Sequence, residues 1–250
     1  MEKLKSLVGY IYTTDNSGID TEVMRKANTL QALFSDNKLG LDISIPKLVV
    51  VGAQSAAKSS VLNAIIGHDI LPTDRAMCSR VALNLQLVND PSKNSVYFYL
   101  VEDGELHLKK TTQLTDAAAV SNDIQHFTHV LAGTQKGISM RELVVRISSP
   151  TVPNLIVTDC PGLVQIACTD QGQPADIKDQ IRTLIKQQIA DDNTVIIAVM
   201  PARDDLEADP CLEVVAECDP TFQRTLGVLT KPDWVQPGSN CLQNYLTNQN

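Results

Sequence analysis

The spacing of apolar residues changes near residue 45 of this 250-residue chain. Upstream, "TEVMRKANTLQALF" carries its apolar residues at helical spacing, which predicts one amphipathic helix. Downstream, "IPKLVVVG" is a continuous run of β-branched and apolar residues between a proline and a glycine, a pattern typical of a strand buried on both faces. We therefore divide the chain into an N-terminal segment with a helix, 1–45, and a domain, 46–250.

The domain repeats an alternation of short apolar strands and amphipathic helices. Strands are predicted for "LVVRI" (143–147), "LIVT" (155–158), "TVIIAVM" (194–200) and "TLGVLT" (225–230). Helices are predicted for "KSSVLNAIIG", ending at Gly67, and for "DIKDQIRTLIKQQI" and "DPCLEVVAEC". Between 89 and 135 the pattern is weaker and indicates a hairpin turned at Asp103-Gly104, followed by a helical segment. This order predicts an α/β fold with a mostly parallel central sheet flanked by helices.

Composition narrows the class of protein. The net charge of −8 and pI near 4.9, with no extended basic cluster, exclude a nucleic-acid footprint. No apolar run approaches the ~20 residues of a membrane span, and the N-terminus has no signal-peptide pattern, so we expect a cytoplasmic protein. The six cysteines form no C-x-x-C pair, which disfavours zinc and redox motifs.

The stretch "VGAQSAAKSSV" after the first strand resembles the phosphate-binding motif G-x-x-x-x-G-K-[ST]. Gly52, Lys58 and Ser59 match it, whereas Ala57 stands where the second glycine belongs. In such a loop backbone N–H groups surround the β-phosphate, the lysine bridges the β- and γ-phosphates, and the serine hydroxyl ligates Mg²⁺. Alone, this stretch is also compatible with an accidental strand-to-helix turn.

Two further motifs follow later strands. "TDCPGL" offers Asp159 for the water shell of a metal ion and Gly162, whose N–H can reach a γ-phosphate. "TKPD" offers Lys231 to lie along a purine and Asp233 to accept from the N–H groups of guanine. Because each motif ends a predicted strand, where open parallel sheets place their ligands, the three together predict a guanine-nucleotide site with Mg²⁺.

With these motifs in place, the chain resembles the dynamin superfamily of large GTPases over 26–239, and most closely its myxovirus-resistance (Mx) branch. "PKLVVVGAQSAAKSSVLNAIIG", "ILPTDRAMCSRVALNLQLV", "SSPTVPNLIVTDCPGL" and "DPTFQRTLGVLTKPD" carry the resemblance. It implies hydrolysis of GTP to GDP, a dimer of GTPase domains, and an N-terminal helix belonging to the bundle that carries nucleotide state to a stalk. Membrane or cytoskeletal partners, and association with a membrane or microtubules, would then require regions outside this chain.

The resemblance also implies residue roles. Gln54 would orient the attacking water, Ser55 would donate to the bridging oxygen and help hold a monovalent cation, and Asp205 would reach across the dimer. Ser79 occupies the first-switch threonine position, and with Ser59 and Asp159 it would hold Mg²⁺. The catalytic set is thus Gln54, Ser55, Ser79 and Gly162, and the nucleotide-binding set is Gly52, Gln54, Ser55, Ala57, Lys58, Ser59, Ser60, Asp159, Gly162, Thr230, Lys231 and Asp233.

Two departures from the family pattern leave two functions open. If the Ala57 methyl displaces one phosphate contact, affinity falls about tenfold to a hundredfold. If alanine sits there without strain, Ala57→Gly would raise affinity and cost about 0.4–1 kcal/mol of stability. The chain is also expected to stop before a last strand and base-capping loop. We favour a GTPase domain weakened by Ala57, with a pseudo-GTPase interaction module as the alternative.

Overall fold

The computed structural model describes residues 47–73, 79–133, 137–167, 169–202, 206 and 208–235. The N-terminal helix predicted within 1–45 lies outside these residues, so the proposed division of the chain stays a prediction. The strands are β1 (Lys47–Gly52), β2 (Ala82–Asn89), β3 (Ser95–Glu102), β4 (Glu105–Gln113), β5 (Glu142–Ser149), β6 (Leu155–Asp159), β7 (Thr194–Pro201) and β8 (Thr225–Thr230). The α-helices are α1 (Lys58–Ile66), α2 (Ala117–Ala132), α3 (Ile177–Ile189) and α4 (Pro210–Cys218), with 3-10 turns at Thr169–Gln171 and Pro232–Trp234.

These strands form one eight-stranded sheet in the order β4-β3-β5-β2-β6-β1-β7-β8. The half from β6 to β8 is entirely parallel. In the other half β2 and β5 run parallel to each other, but β2 is antiparallel to β6 and β3 is antiparallel to both of its neighbours. The predicted α/β class is confirmed, and the antiparallel pairings make the sheet mixed on the side that the sequence pattern described least well.

Strand β1 lies at the centre of the parallel half. Val49, Val50 and Val51 are fully buried; all three pair with β7 on one edge, and Val49 and Val50 also pair with β6 on the other. A continuous β-branched run suits this place because side chains on both faces leave water and the branched side chains pack well on a pleated surface. The strand buried on both faces that was predicted from "KLVVVG" is therefore confirmed.

Helices cover both faces of the sheet. On one face Leu62 and Ile66 of α1 and Val120 and Phe127 of α2 join one apolar core, in which Phe127 stacks on Phe98 of β3. On the other face α3 and α4 form a second core. The apolar face of α3, which forms the predicted helix "DIKDQIRTLIKQQI", is buried throughout, with Ile177, Ile181, Leu184, Ile185 and Ile189 each at most 3% exposed. No helix in the described ranges is long and apolar enough to cross a bilayer.

Local signals account for the turns that delimit these elements. Helix α1 ends at Gly67, whose φ of 78° is the left-handed conformation that glycine adopts without penalty. The hairpin of β3 and β4 turns at Asp103 and Gly104, both with positive φ, as a two-residue turn matched to the twist of the strands requires. Both predicted turns are confirmed.

Strand β2 was not predicted. Its sequence "ALNLQLVN" alternates between buried leucines and half-buried polar residues, which is a strand pattern. The segment that contains it, "ILPTDRAMCSRVALNLQLV", was interpreted only through its resemblance to the first switch of the dynamin superfamily. Its antiparallel pairing with β6 could not be read from local sequence, because register between distant strands depends on the whole sheet.

Candidate nucleotide-binding site

The loop between β1 and α1 turns through two residues in the left-handed backbone region. Ser55 has a φ of 64°, and Ala57, immediately before α1, has φ 68° and ψ 29°. The Ala56 N–H donates to the Ala53 carbonyl at 3.1 Å, and the Val61 N–H donates to the Ala57 carbonyl at 3.0 Å. The loop therefore adopts a compact turn even though alanine replaces the glycine of the motif.

Ala57 does not sit in this loop without strain. The left-handed region costs an L-residue with a Cβ roughly 1–2 kcal/mol, whereas glycine occupies it freely. The expectation that Ala57→Gly lowers stability is thus wrong in sign, because it required an unstrained alanine. The methyl raises the energy of the loop without preventing its left-handed turn.

Lys58 is a nearly buried cation held by the loop. Its side chain is 8% exposed, and Nζ donates to the carbonyls of Gly52 at 3.2 Å and Ala53 at 3.1 Å. In the part of the chain that the structure describes, Lys58 forms no ion pair with a carboxylate. Neutral carbonyls do not cancel the positive charge of a buried ammonium, so an anion beside it is favourable.

The end of β6 supplies the opposite charge. Asp159 pairs in register with Val50 of β1 and is 2% exposed. Burial raises the pKa of its carboxyl to about 6, although the Lys58 charge acts in the other direction. Its Oδ1 makes no hydrogen bond within the described residues. Such an unsatisfied buried oxygen is costly unless a ligand, an ion or water completes it.

Gly162 lies where the segment after β6 touches the phosphate loop. The Gln54 N–H donates to the Leu163 carbonyl at 2.9 Å, and the Leu163 N–H donates to the Gly52 carbonyl at 3.1 Å. A Cβ on Gly162 would stand 2.8 Å from Gln54 Cα and 3.0 Å from Lys58 Nζ. Only glycine fits this contact, so the two predicted phosphate-binding segments pack together without an intervening side chain.

Ser59, Ser79 and Asp159 line one cavity of about 410 Å³. Ser79 reaches it because β2 runs antiparallel to β6: Leu83 pairs with Asp159, so the residues before β2 lie at the edge where β6 ends. Two hydroxyls and one carboxylate with an unsatisfied oxygen fit Mg²⁺, which prefers oxygen ligands and retains several waters and phosphate oxygens. The three predicted metal ligands are thus brought together.

The third motif lies at the end of β8. Thr230 pairs with Pro201 of β7, and its hydroxyl donates to the Ala56 carbonyl at 2.9 Å, with the Met200 carbonyl at 3.3 Å. Thr230 therefore supports the phosphate loop, a role that its position in "TKPD" did not indicate. Lys231 and Asp233 follow directly, and Asp233 is exposed.

A protein-family model with the description "Dynamin family" matches residues 48–232, which include the phosphate loop, Asp159, Gly162 and Thr230. The chain belongs to the dynamin family. Domains of this family bind and hydrolyse GTP.

Individual dynamins align with most of this chain. It is 35% identical to Dynamin-related protein 3A of Arabidopsis thaliana, with 94% of this chain and 29% of that protein aligned. It is 37% identical to Dynamin-1 of Homo sapiens over 90% of this chain and 25% of that protein. For Dynamin-1-like protein of Bos taurus the identity is 36%, over 86% of this chain and 31% of the relative. The chain thus spans about a quarter to a third of these dynamins.

For some of the predicted site residues, the geometry of the site does not define a role. Gln54 and Ser55 are exposed on the dynamin phosphate loop, and Ser60 is exposed beside the half-buried Ser59. Asp205, expected to reach across a dimer, lies outside the described residues. The sequence interpretation missed the Leu163 backbone contacts and the Trp234 ring, which lies beside Lys231. Trp234 could have been noticed as the chain's only tryptophan, next to the base motif.

The left-handed conformation of Ala57 generates a stability prediction. Ala57→Gly should raise the free energy of unfolding of the nucleotide-free protein by about 1 kcal/mol, because glycine relieves the backbone strain. Ala56→Gly is the matched control: Ala56 is 1% exposed and does not have a positive φ, so the same change there should destabilise the protein. Chemical denaturation of all three proteins measures both effects. A loss of stability in Ala57→Gly would contradict the strain.

The buried carboxyl of Asp159 generates a pH prediction. Burial raises its folded pKa from the ordinary 3.8 to about 6, so stability is lost as pH rises through this window. Asp159→Asn should therefore stabilise the nucleotide-free protein at pH 8, by about 1–3 kcal/mol, and the gain should vanish near pH 4. Denaturation in a metal chelator at several pH values measures it. An Asp159→Asn variant whose stability relative to the parent does not change with pH would exclude the raised pKa.

Proposed function

We propose that this chain binds GTP with Mg²⁺ and hydrolyses it to GDP. The observation that carries the proposal is the buried Lys58 ammonium, which rests on the Gly52 and Ala53 carbonyls with no carboxylate paired to it in the described residues. A phosphate group beside it would supply the anion in direct contact that Asp159, at the end of β6, does not provide. Family membership supports the choice of GTP as the nucleotide.

The chain's own residues would divide the work between the two ends of the nucleotide. Loop N–H groups and Lys58 would hold the phosphates, and Gly162 would let the second segment approach them. Lys231 and Asp233 would take the guanine. Ser59, Ser79 and Asp159 would hold Mg²⁺, which when bound screens charge on the phosphate oxygens.

Hydrolysis would depend on the exposed part of the loop. Gln54 would orient the attacking water and Ser55 would donate to the bridging oxygen and help hold a monovalent cation. A dimer of GTPase domains would complete this arrangement. A cytoplasmic location and a likeness to the Mx branch remain parts of the same proposal, and the motif residues quoted above support the likeness.

The strain at Ala57 favours a second candidate function, a pseudo-GTPase that uses the domain as a docking surface. A methyl beside the phosphates would weaken binding, yet the loop retains its left-handed turn, which favours reduced rather than abolished affinity. Phosphate release measured over a range of protein concentrations separates the two functions. Turnover that rises with concentration supports the GTPase dimer, whereas GTP binding without phosphate release supports the docking module.

Base choice is the first test of the nucleotide. The parent chain should bind GTP more tightly than ATP. Asp233→Asn should weaken the binding of GTP by about 1.5–3 kcal/mol, because two charge-assisted hydrogen bonds lose their acceptor. The same variant should gain affinity for xanthosine triphosphate. Competition titrations of the three nucleotides measure this, with Asp103→Asn at the hairpin turn as a control of equal charge change. Equal affinity of the parent for ATP and GTP would remove the assignment of Asp233.

The metal site is tested by two neighbouring serines. Ser59 is half-buried and lines the cavity with Asp159, whereas Ser60 is exposed. Ser59→Ala should reduce Mg²⁺-dependent GTP affinity about tenfold or more, and Ser60→Ala should change it little. Titrations with Mg²⁺ and with chelator measure the difference. Similar losses in both variants would show that the register of the phosphate loop is wrong.

A further inference from the structure

Trp234 is the only tryptophan of the chain, and it lies directly after the predicted guanine acceptor Asp233. Its side chain is 59% exposed, a large apolar surface to leave in water. Its ring is not isolated, however: the Lys231 ammonium lies 4.0 Å from the ring centroid. This distance is well within the range of a cation–π contact, and tryptophan is the aromatic residue that forms the strongest ones.

The backbone produces this contact. Lys231 adopts the left-handed conformation, with φ 52° and ψ 52°, at the point where β8 gives way to the 3-10 turn of Pro232–Trp234. The Trp234 N–H donates to the Lys231 carbonyl at 3.0 Å and closes the turn. Closure brings the indole back over the lysine that begins the turn. The left-handed backbone conformation is disfavoured for lysine unless neighbouring groups stabilise it, and the contact with the Trp234 ring is one such interaction.

Lys231 lies in the sequence between Thr230 and the predicted guanine acceptor Asp233. Thr230 on one side is tied to the phosphate loop through the Ala56 carbonyl, and Asp233 on the other side is exposed toward solvent. A free lysine side chain has large rotamer entropy, part of which is lost when its stem lies against a ligand. An ammonium already held on an indole ring removes part of that cost before the ligand arrives.

We propose that Trp234 is a positioning residue for the guanine base, which it serves by holding Lys231 through the cation–π contact. The inference rests on the proposed function, because it assigns a role toward the same nucleotide. Trp234 acts through Lys231 rather than by hydrogen bonding to the base. The aromatic ring therefore sets affinity for guanine nucleotides, while Asp233 sets the choice of base.

The test compares GDP affinity of the 250-residue chain with that of two ring variants by calorimetry in Mg²⁺ buffer. Trp234→Leu removes the ring and should weaken GDP binding about two- to fivefold, the effect of an exposed cation–π contact. Trp234→Phe keeps a π-face and should lose less. Because the side chain is largely exposed, the melting temperatures of both should match the parent. Phe222→Leu is the control, since Phe222 is also exposed but precedes β8, at the end of the strand away from Thr230.

A double-mutant cycle separates positioning from general packing. Lys231→Met keeps a long unbranched stem and removes the charge, so Trp234→Leu should have no further effect on GDP affinity in that background. Additive losses would overturn the proposal, as would an unchanged affinity of Trp234→Leu in the parent. Failure of the parent chain itself to bind GDP contradicts the proposed function and this role with it. The two failures are distinguished by whether the parent binds.

Discussion

The pairing of β1 with a parallel neighbour on each edge is the constraint on which the site depends. Val49 to Val51 are buried and pair with β7, and Val49 and Val50 also pair with β6, so the position at which β1 ends is fixed. Gly52 ends it against β7 so closely that a Cβ would stand 2.4 Å from the Val199 carbonyl oxygen. The phosphate loop starts from this point, and β6 and β8 end at the same edge, because parallel strands place their carboxyl ends together.

Two opposite charges are enclosed at this edge, and each is more costly there than at the surface. Lys58 is held by carbonyls, while Asp159 keeps an unsatisfied oxygen and a raised pKa. Replacing such groups commonly stabilises a protein, so their presence is a cost in the free energy of folding that ligand binding can offset. The strained Ala57 adds to the same cost. Under the proposed function, stability and metal binding are therefore opposed at Asp159, whereas at Ala57 glycine would improve the backbone geometry.

Local patterns predicted the parts of this molecule that local physics determines. The apolar runs predicted β1, β5, β6 and β7 because burial on both faces leaves a continuous signature, and they predicted β8 although that strand is mostly half-buried. Gly52, Lys58 and Gly162 could be singled out because the motifs specify those residue types, and only glycine fits where Gly52 meets β7 and where Gly162 meets the phosphate loop. The antiparallel pairing of β2 with β6, which brings Ser79 to the cavity lined by Asp159, depends on pairing between distant strands. The conformation of Ala57 and the contact of Lys231 with Trp234 depend on backbone angles that residue types alone do not specify.

The hydrogen bond from Thr230 to the Ala56 carbonyl joins residues 174 positions apart. Contacts of such long sequence separation form late, because a large loop must close before they are made. During synthesis the phosphate loop leaves the ribosome long before β8, so it initially lacks this support. The loop gains this hydrogen bond only when the last strand of the parallel half docks against β7. Full support of the phosphate loop is thus coupled to the docking of β8.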